Sequence, residues 1–246
     1  MKGLFGGDMK IGIFDSGVGG LSVLKELLKH KPNNEYLYIG DTLNMPYGSK
    51  SHEELFICAS RIIEYLIQNE VELIIIACGT ISSTIYSELK EKYSDVTILD
   101  VISPTINYLS NSNYKNVGVI ATKNTIESGV FCRSLNGCNI HGLALPKLAS
   151  IIEHGLPYES YLEDEMKYFD DKNIELLILG CTHFPIIDEY FKKRYNTFNM
   201  ANPIISLIND GVNQKVKLMF TSVNEENKAL IRQILGREDE IIKLDL

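Results

Sequence analysis

Two cysteines of this chain sit in matching surroundings. Cys78 ends the run Glu72-Leu-Ile-Ile-Ile-Ala-Cys-Gly-Thr80, and Cys181 ends Glu175-Leu-Leu-Ile-Leu-Gly-Cys-Thr-His183. Each reads as a buried strand closing on a small residue, then a thiol, then a threonine within two positions. Cys181 follows Cys78 by 103 residues, too long for a solenoid repeat. The spacing suggests two similar half-domains, each offering one thiol at an equivalent strand end across a shared cleft. Free cysteine is among the most buried residue types, so packing explains either one alone equally well. Both at matching positions favour chemistry at the thiol.

The residues that could serve those thiols follow other strands. Asp15-Ser16-Gly17-Val18-Gly19-Gly20 opens a helix, and such a turn offers backbone N–H groups and a positive dipole end to an anion. It lacks the G-x-G-x-x-G of a dinucleotide site. A small carboxylate ligand suits it better, with Asp15 acting on an amine or on a thiol's proton; simple helix capping by Asp15 and Ser16 is the competing reading. In Met45-Pro46-Tyr47-Gly48, Pro46 fixes φ, Gly48 permits a tight turn and Tyr47 is held as a positioned hydroxyl or ring, unless this is a plain surface turn. His183, two residues after Cys181, could relay that thiol's proton or merely precede a helix. Glu153, before His154-Gly155, reads by default as a solvated surface carboxylate. Cys58 falls inside an amphipathic helix, and Cys132 and Cys138 in or beside Val130–Asn139, where packing accounts for them. With only His141 nearby they have no zinc spacing, so no metal is expected. No C-x-x-C is present, which disfavours a redox protein.

The elements that must position these residues alternate. Strands are predicted at Lys10–Phe14, Tyr36–Ile39, Leu73–Ala77, Thr97–Leu99, Val117–Ile120, Leu176–Leu179 and Ile204–Leu207. Helices are predicted at Leu21–His30, Glu53–Asn69, Ser82–Tyr93, Thr125–Leu135, Tyr158–Phe169 and Ile187–Tyr195. This is the pattern of an α/β fold with mainly parallel sheets, in which ligands bind beyond the carboxyl ends of strands. The 246 residues at about 150 per domain fit one large domain or two small ones. Boundaries are expected at close-packed crossings near Ser103–Pro104 and Ala201–Pro203. A net charge of −8 argues against nucleic acid. The longest apolar runs fall far short of the roughly 20 residues of a membrane span. Met1 to Lys10 is Gly-rich without an apolar core, so no secretory signal and a cytoplasmic location are expected, with the five cysteines as thiols.

Taken together, Phe14-Asp15-Ser16-Gly17-Val18-Gly19-Gly20-Leu21, Pro46-Tyr47-Gly48, Ala77-Cys78-x-Thr80 and Gly180-Cys181-Thr182-His183-Phe184-Pro185 resemble the glutamate racemases of the cofactor-independent aspartate/glutamate racemase superfamily. The likeness runs from about Lys10 to the C-terminus, with the motifs in the family's order. It implies two similar α/β domains with the active site in the cleft between them, divided as 1–103 plus 203–246 and 104–202. It implies Cys78 and Cys181 as acid/base thiols, Asp15 and His183 as their proton-handling neighbours, and Glu153 assisting the second. Substrate contacts are implied at Asp15, Ser16, Tyr47, Gly48, Thr80, Thr182 and His183, with Gly79 at a contact position and Thr122 and Thr125 as further candidates.

The chemistry implied is racemisation of glutamate without a cofactor, supplying D-glutamate for peptidoglycan, by a homodimer. One thiolate removes the α-proton from one face while the opposite thiol returns a proton to the other; thiol pKa values near about 8.5 suit this. The pocket itself must then stabilise the developing carbanion. Two departures stand out. Gly79 occupies a position where the family usually carries a substrate-contacting Asn, a lost hydrogen bond of about 1 kcal/mol, and Ile208-Asn209-Asp210-Gly211 stands where the family tends to carry Asp-Ser-Gly. The alternatives are a racemase of aspartate or another amino acid, or a non-catalytic amino-acid-binding protein.

Overall fold

The computed structural model describes Leu4 and residues 9–246. Most of Met1 to Lys10, on which the reading of the chain's start rests, lies outside the described residues. The strands are β1 Lys10–Asp15, β2 Glu35–Gly40, β3 Leu73–Ile76, β4 Thr97–Asp100, β5 Asn116–Ala121, β6 Asn139–Ala144, β7 Leu176–Leu179, β8 Thr197–Asn199, β9 Lys215–Phe220 and β10 Ile241–Lys243. They form two sheets, in the orders β10-β9-β2-β1-β3-β4 and β6-β5-β7-β8. Every pairing is parallel. This is the expected α/β architecture, two parallel sheets flanked by helices.

Parallel strands need cover on both faces, and β3, Leu-Ile-Ile-Ile, is buried at all four positions, as is β7. One apolar core joins the sheets. It runs from Ile11, Ile13 and Ile75 through Leu24 and Leu27 of the helix Leu21–His30 and Ile204 of the helix Ala201–Leu207 to Val119 and Ile178 of the second sheet. Separate cores cover the outer faces, around Ile62 and Ile76 on one side and Leu148 and Phe184 on the other. Among the described residues no helix is long and apolar enough to cross a membrane.

In each sheet the chain reverses its direction of travel. From β1 it goes to β2 on one side and then to β3 on the other; from β5 it goes to β6 and then to β7. The crevices between β1 and β3 and between β5 and β7 are therefore switch points, where strand-end loops part and leave room for a ligand. Asp15, Cys78, Thr122 and Cys181 stand at the four strand ends that border them.

Several expected elements differ. Ile204–Leu207 is not a strand but the second half of the helix Ala201–Leu207, with Pro203 in its first turn, where a missing N–H costs nothing. Ser103–Pro104 likewise lies inside a helix, Ile102–Leu109. The helix expected over Ser82–Tyr93 starts earlier, at Gly79–Thr84, and breaks before Tyr86–Lys92. Ser83 and Thr84 hydroxyls both donate to the Thr80 carbonyl, at 3.0 and 2.7 Å, and such back-bonding competes with the helical ladder. The helix expected over Thr125–Leu135 is two short ones, Lys123–Glu127 and Val130–Ser134, parted by Gly129 at φ +64°.

Candidate active site

The four strand ends enclose one cavity of about 130 Å³, comparable to an apolar site that holds a benzene-sized molecule. From the first sheet's loops come Asp15, Ser16, Tyr47, Gly48, Cys78, Gly79 and Thr80. Thr122, Lys123, Cys181, Thr182 and His183 face it from the second, with Pro146, Ala149 and Ser150 beside them. Both thiols are buried, Cys78 at 4% and Cys181 at 6% exposure. Cys58 and Cys138 are half-buried and Cys132 is exposed, none of them on this cavity.

Cys78 precedes the helix Gly79–Thr84, its carbonyl accepting from Ser82 N at 3.0 Å. Burial, then the charge of Asp15, pushes its thiol well above the ordinary range, while the backbone N–H groups of Ile81 and Thr80 pull the other way and lose. Asp15 is fully buried. Its Oδ2 accepts from Gly20 N at 2.7 Å and from Thr182 Oγ1 at 3.3 Å, which ties the two lobes together at the site. Its Oδ1 is buried without a hydrogen-bond partner. An unpaired buried carboxylate oxygen carries a large desolvation penalty.

Around Cys181 the order is thiol, imidazole, carboxylate. His183 Nδ1 lies 3.9 Å from Cys181 Sγ, and its Nε2 lies 2.5 Å from Glu153 Oε2. The His183 and Glu153 side chains are 2% and 5% exposed. Burial alone would keep the imidazole neutral. Hydrogen bonds to Cys181 and Glu153, with the charges of both, outweigh it and hold His183 well above the ordinary histidine value. Glu153 is thus no solvated surface carboxylate; the helix Leu148–Glu153 carries it in behind His183.

The Tyr47 hydroxyl is not offered to a ligand. It donates to Asp41 Oδ2 at 2.5 Å, and burial, with the Asp41 charge next, pushes its ionisation far out of range. The cavity receives Tyr47 as a ring. Gly48 does not need a positive φ; a Cβ there would stand 3.0 Å from Cβ of Thr122, so the glycine serves close approach between lobes. Thr125 stands one layer back, its Oγ1 3.0 Å from that of Thr122, which in turn reaches Thr80 Oγ1 at 3.0 Å. Ile208-Asn209-Asp210-Gly211 lies away from the cavity, with Asp210 accepting from Asn33 at 2.9 and 2.8 Å.

Asp41 went unnoticed in the sequence. This buried carboxylate accepts from Asn44, Tyr47 and Thr221, and so holds the Pro46–Gly48 wall to the end of β9. Its signal was its place, one residue past β2, where strand-end positions bear on the site. Ser22 was also missed; its Oγ donates to Thr182 O at 2.9 Å across the lobes. Among the described residues no group of three or more His, Cys, Asp and Glu side chains is placed to hold a metal ion.

Residues 15–208 match the family described as Asp/Glu/Hydantoin racemase. The chain is 36% identical over 248 residues to a glutamate racemase of Hydrogenobaculum sp., covering 95% of each chain. It superposes with a TM-score of 0.87 and 30% identity on glutamate racemase from Francisella tularensis in complex with D-glutamate, covering 97% of this chain and 98% of that one. With glutamate racemase isoform RacE1 from Bacillus anthracis the TM-score is 0.88 at 27% identity, over 97% and 98% of the two chains.

Proposed function

The chain belongs to the Asp/Glu/Hydantoin racemase family and is an amino-acid isomerase; from that premise we propose that it interconverts L- and D-glutamate by proton transfer between Cys78 and Cys181. The observation that carries this reading is the pair of buried thiols on one small cavity, each with its own charged neighbour: Asp15 beside Cys78, His183 and Glu153 beside Cys181.

In this reading the amino acid lies with its α-carbon between the two sulfurs. The negative charge of Asp15 attracts the ammonium group, and the hydroxyls of Ser16, Thr80, Thr122 and Thr182 take the carboxylates. One sulfur, as thiolate, forms a bond to the α-proton while the C–H pair stays on carbon as a carbanion. The opposite thiol then gives its proton to the other face and becomes the thiolate. Asp15 and the His183–Glu153 pair hold the local charge during these transfers. A narrow, largely apolar cavity strengthens such interactions to the extent that the bound substrate displaces water from it. No cofactor is required in this scheme.

The relatives' names support glutamate as substrate. The same reading gives the product a role as D-glutamate for peptidoglycan, made in the cytoplasm by a homodimer, each chain of which divides into two domains at about residues 103 and 203. Racemisation of aspartate is the competing possibility, favoured by the absent side chain at Gly79. Incubation with L-glutamate and L-aspartate in deuterated water, without added cofactor, decides between them. Inversion with α-deuterium incorporation is expected on glutamate, and exchange on aspartate alone would overturn the assignment.

A further inference from the structure

The turn that carries Cys181 and His183 lacks a local donor for one of its own carbonyls. After β7 the chain tightens into a 3-10 turn over Phe184–Ile187, in which a carbonyl pairs with the N–H three residues on. Cys181 O accepts from Phe184 N, and His183 O from Ile186 N, both at 3.0 Å. The matching donor for Thr182 O would be residue 185, but that residue is Pro185 and has no N–H. An unpaired buried carbonyl is costly, so Thr182-His183-Phe184-Pro185 calls for a donor from elsewhere.

Ser22 supplies it from the other lobe. It is the second residue of the helix Leu21–His30, and its Oγ donates to Thr182 O at 2.9 Å, between residues only 6% and 5% exposed. The carbonyl it holds belongs to the peptide joining Thr182 to His183, one residue from the Cys181 thiol. Thr182 is tied across the lobes a second time, its Oγ1 donating to Asp15 Oδ2 at 3.3 Å, but in the proposed reaction the substrate draws on that hydroxyl. Ser22 does not line the cavity, so its bond has no such competitor.

We propose that Ser22 is a positioning residue for the reaction: its hydroxyl stands in for the N–H that Pro185 withholds, and so pins the Cys181–His183 turn to the lobe that carries Cys78. This rests on the two-thiol reading above. Without the bond the Thr182 carbonyl turns toward another donor, and Cys181 moves with it. A misplacement of about 1 Å can cost on the order of 100-fold in rate.

The test is Ser22→Ala in the full chain, with Ser22→Thr, which keeps the hydroxyl, and Thr105→Val as comparisons. Thr105→Val removes an equally buried hydroxyl-to-carbonyl bond, Thr105 Oγ1 to Val101 O at 2.8 Å, away from the cavity. Ser22→Ala is expected to fold and to lose about 10- to 100-fold in kcat with KM changed less than about threefold. Ser22→Thr recovers most of the loss, and Thr105→Val keeps its activity. The bond touches the turn of Cys181 and not that of Cys78, so the isotope effect of α-deuteration should rise in Ser22→Ala for the enantiomer that Cys181 deprotonates, which is the one Cys78→Ser still exchanges, and not for the other. A wild-type kcat in Ser22→Ala overturns the proposal, as does a loss confined to KM, a rise in the isotope effect shared equally by both enantiomers, or an equal loss in Ser22→Thr or Thr105→Val. Failure of Ser22→Ala to fold while Thr105→Val folds also overturns it, because Ser22 would then serve packing alone. Cys78→Ser and Cys181→Ser, measured alongside, separate the two levels. If they retain full activity the two-thiol reading itself fails; if they lose it and Ser22→Ala does not, only the present inference falls.

Discussion

Replacing Glu153 by Gln probes the relay behind Cys181 with almost no change of shape. The wild-type contact is a charge-assisted hydrogen bond of 2.5 Å between side chains only 2% and 5% exposed. Stranding a buried charge costs about 3–5 kcal/mol, but His183 can escape that cost by releasing its proton, so the smaller figure for a charged hydrogen bond applies, about 2 kcal/mol. In stability this corresponds to a melting temperature lower by roughly 4–8 °C for a chain of this size. Its pH dependence has a definite sign. The folded-state His183 value is raised, so the stabilisation is complete below the unfolded value of about 6.5 and is lost as pH climbs through the folded value. The gap between wild type and Glu153→Gln is therefore widest near pH 6 and closes on the alkaline side. In catalysis the same energy is about thirtyfold in kcat/KM. Because the two enantiomers are equal in free energy, kcat/KM must fall by the same factor in both directions. Melting curves from pH 6 to 10 and racemisation followed by circular dichroism check both statements. A gap that does not vary with pH, or a kcat/KM within twofold of wild type, would refute the reasoning.

Asp15→Asn removes the charge beside Cys78 and the unpaired Oδ1 oxygen; kcat/KM is expected to fall by about 100-fold or more. The Cys78 thiol should ionise at lower pH than in wild type, though burial still holds it up, as alkylation rates at Cys78 against pH will show. Tyr47→Phe deletes the 2.5 Å bond to Asp41 but leaves the ring on the cavity. Urea denaturation should show a loss of about 1–3 kcal/mol, with kcat/KM changed less than about threefold; a larger kinetic effect would mean that the hydroxyl acts on substrate.

Much of this site was legible because its residues follow strands. Buried Ile- and Leu-rich runs ending in Ala-Cys78 and Gly-Cys181 mark β3 and β7 and place both thiols at strand ends without any tertiary information. The helix Leu21–His30 was equally clear, with its apolar residues at helical spacing. Ile204–Leu207 misled because a short, mostly apolar run fits a buried strand or one helix face alike, and only packing against Leu21–His30 and Ile102–Leu109 settles it. Glu153 looked solvated because no local pattern announces that a carboxylate 30 positions away will meet His183. The glycines of Asp15–Gly20 suggested a turn offering N–H groups to an anion; their φ values are ordinary, and Gly17 and Gly19 leave room for Glu153 and His183 from the other lobe. Such long-range contacts are properties of the assembled sheets, and a one-dimensional reading sees only the residues that make them.

In the proposed reaction the two thiols serve opposite faces of one α-carbon. The most direct test is α-proton exchange in deuterated water by Cys78→Ser and Cys181→Ser, each offered L- and D-glutamate separately. With one sulfur left, only the enantiomer whose α-proton faces it should exchange quickly, and the two variants should prefer opposite enantiomers while both lose racemisation. Exchange of the same enantiomer by both variants, or wild-type racemisation in either, would rule out a two-thiol, two-face transfer.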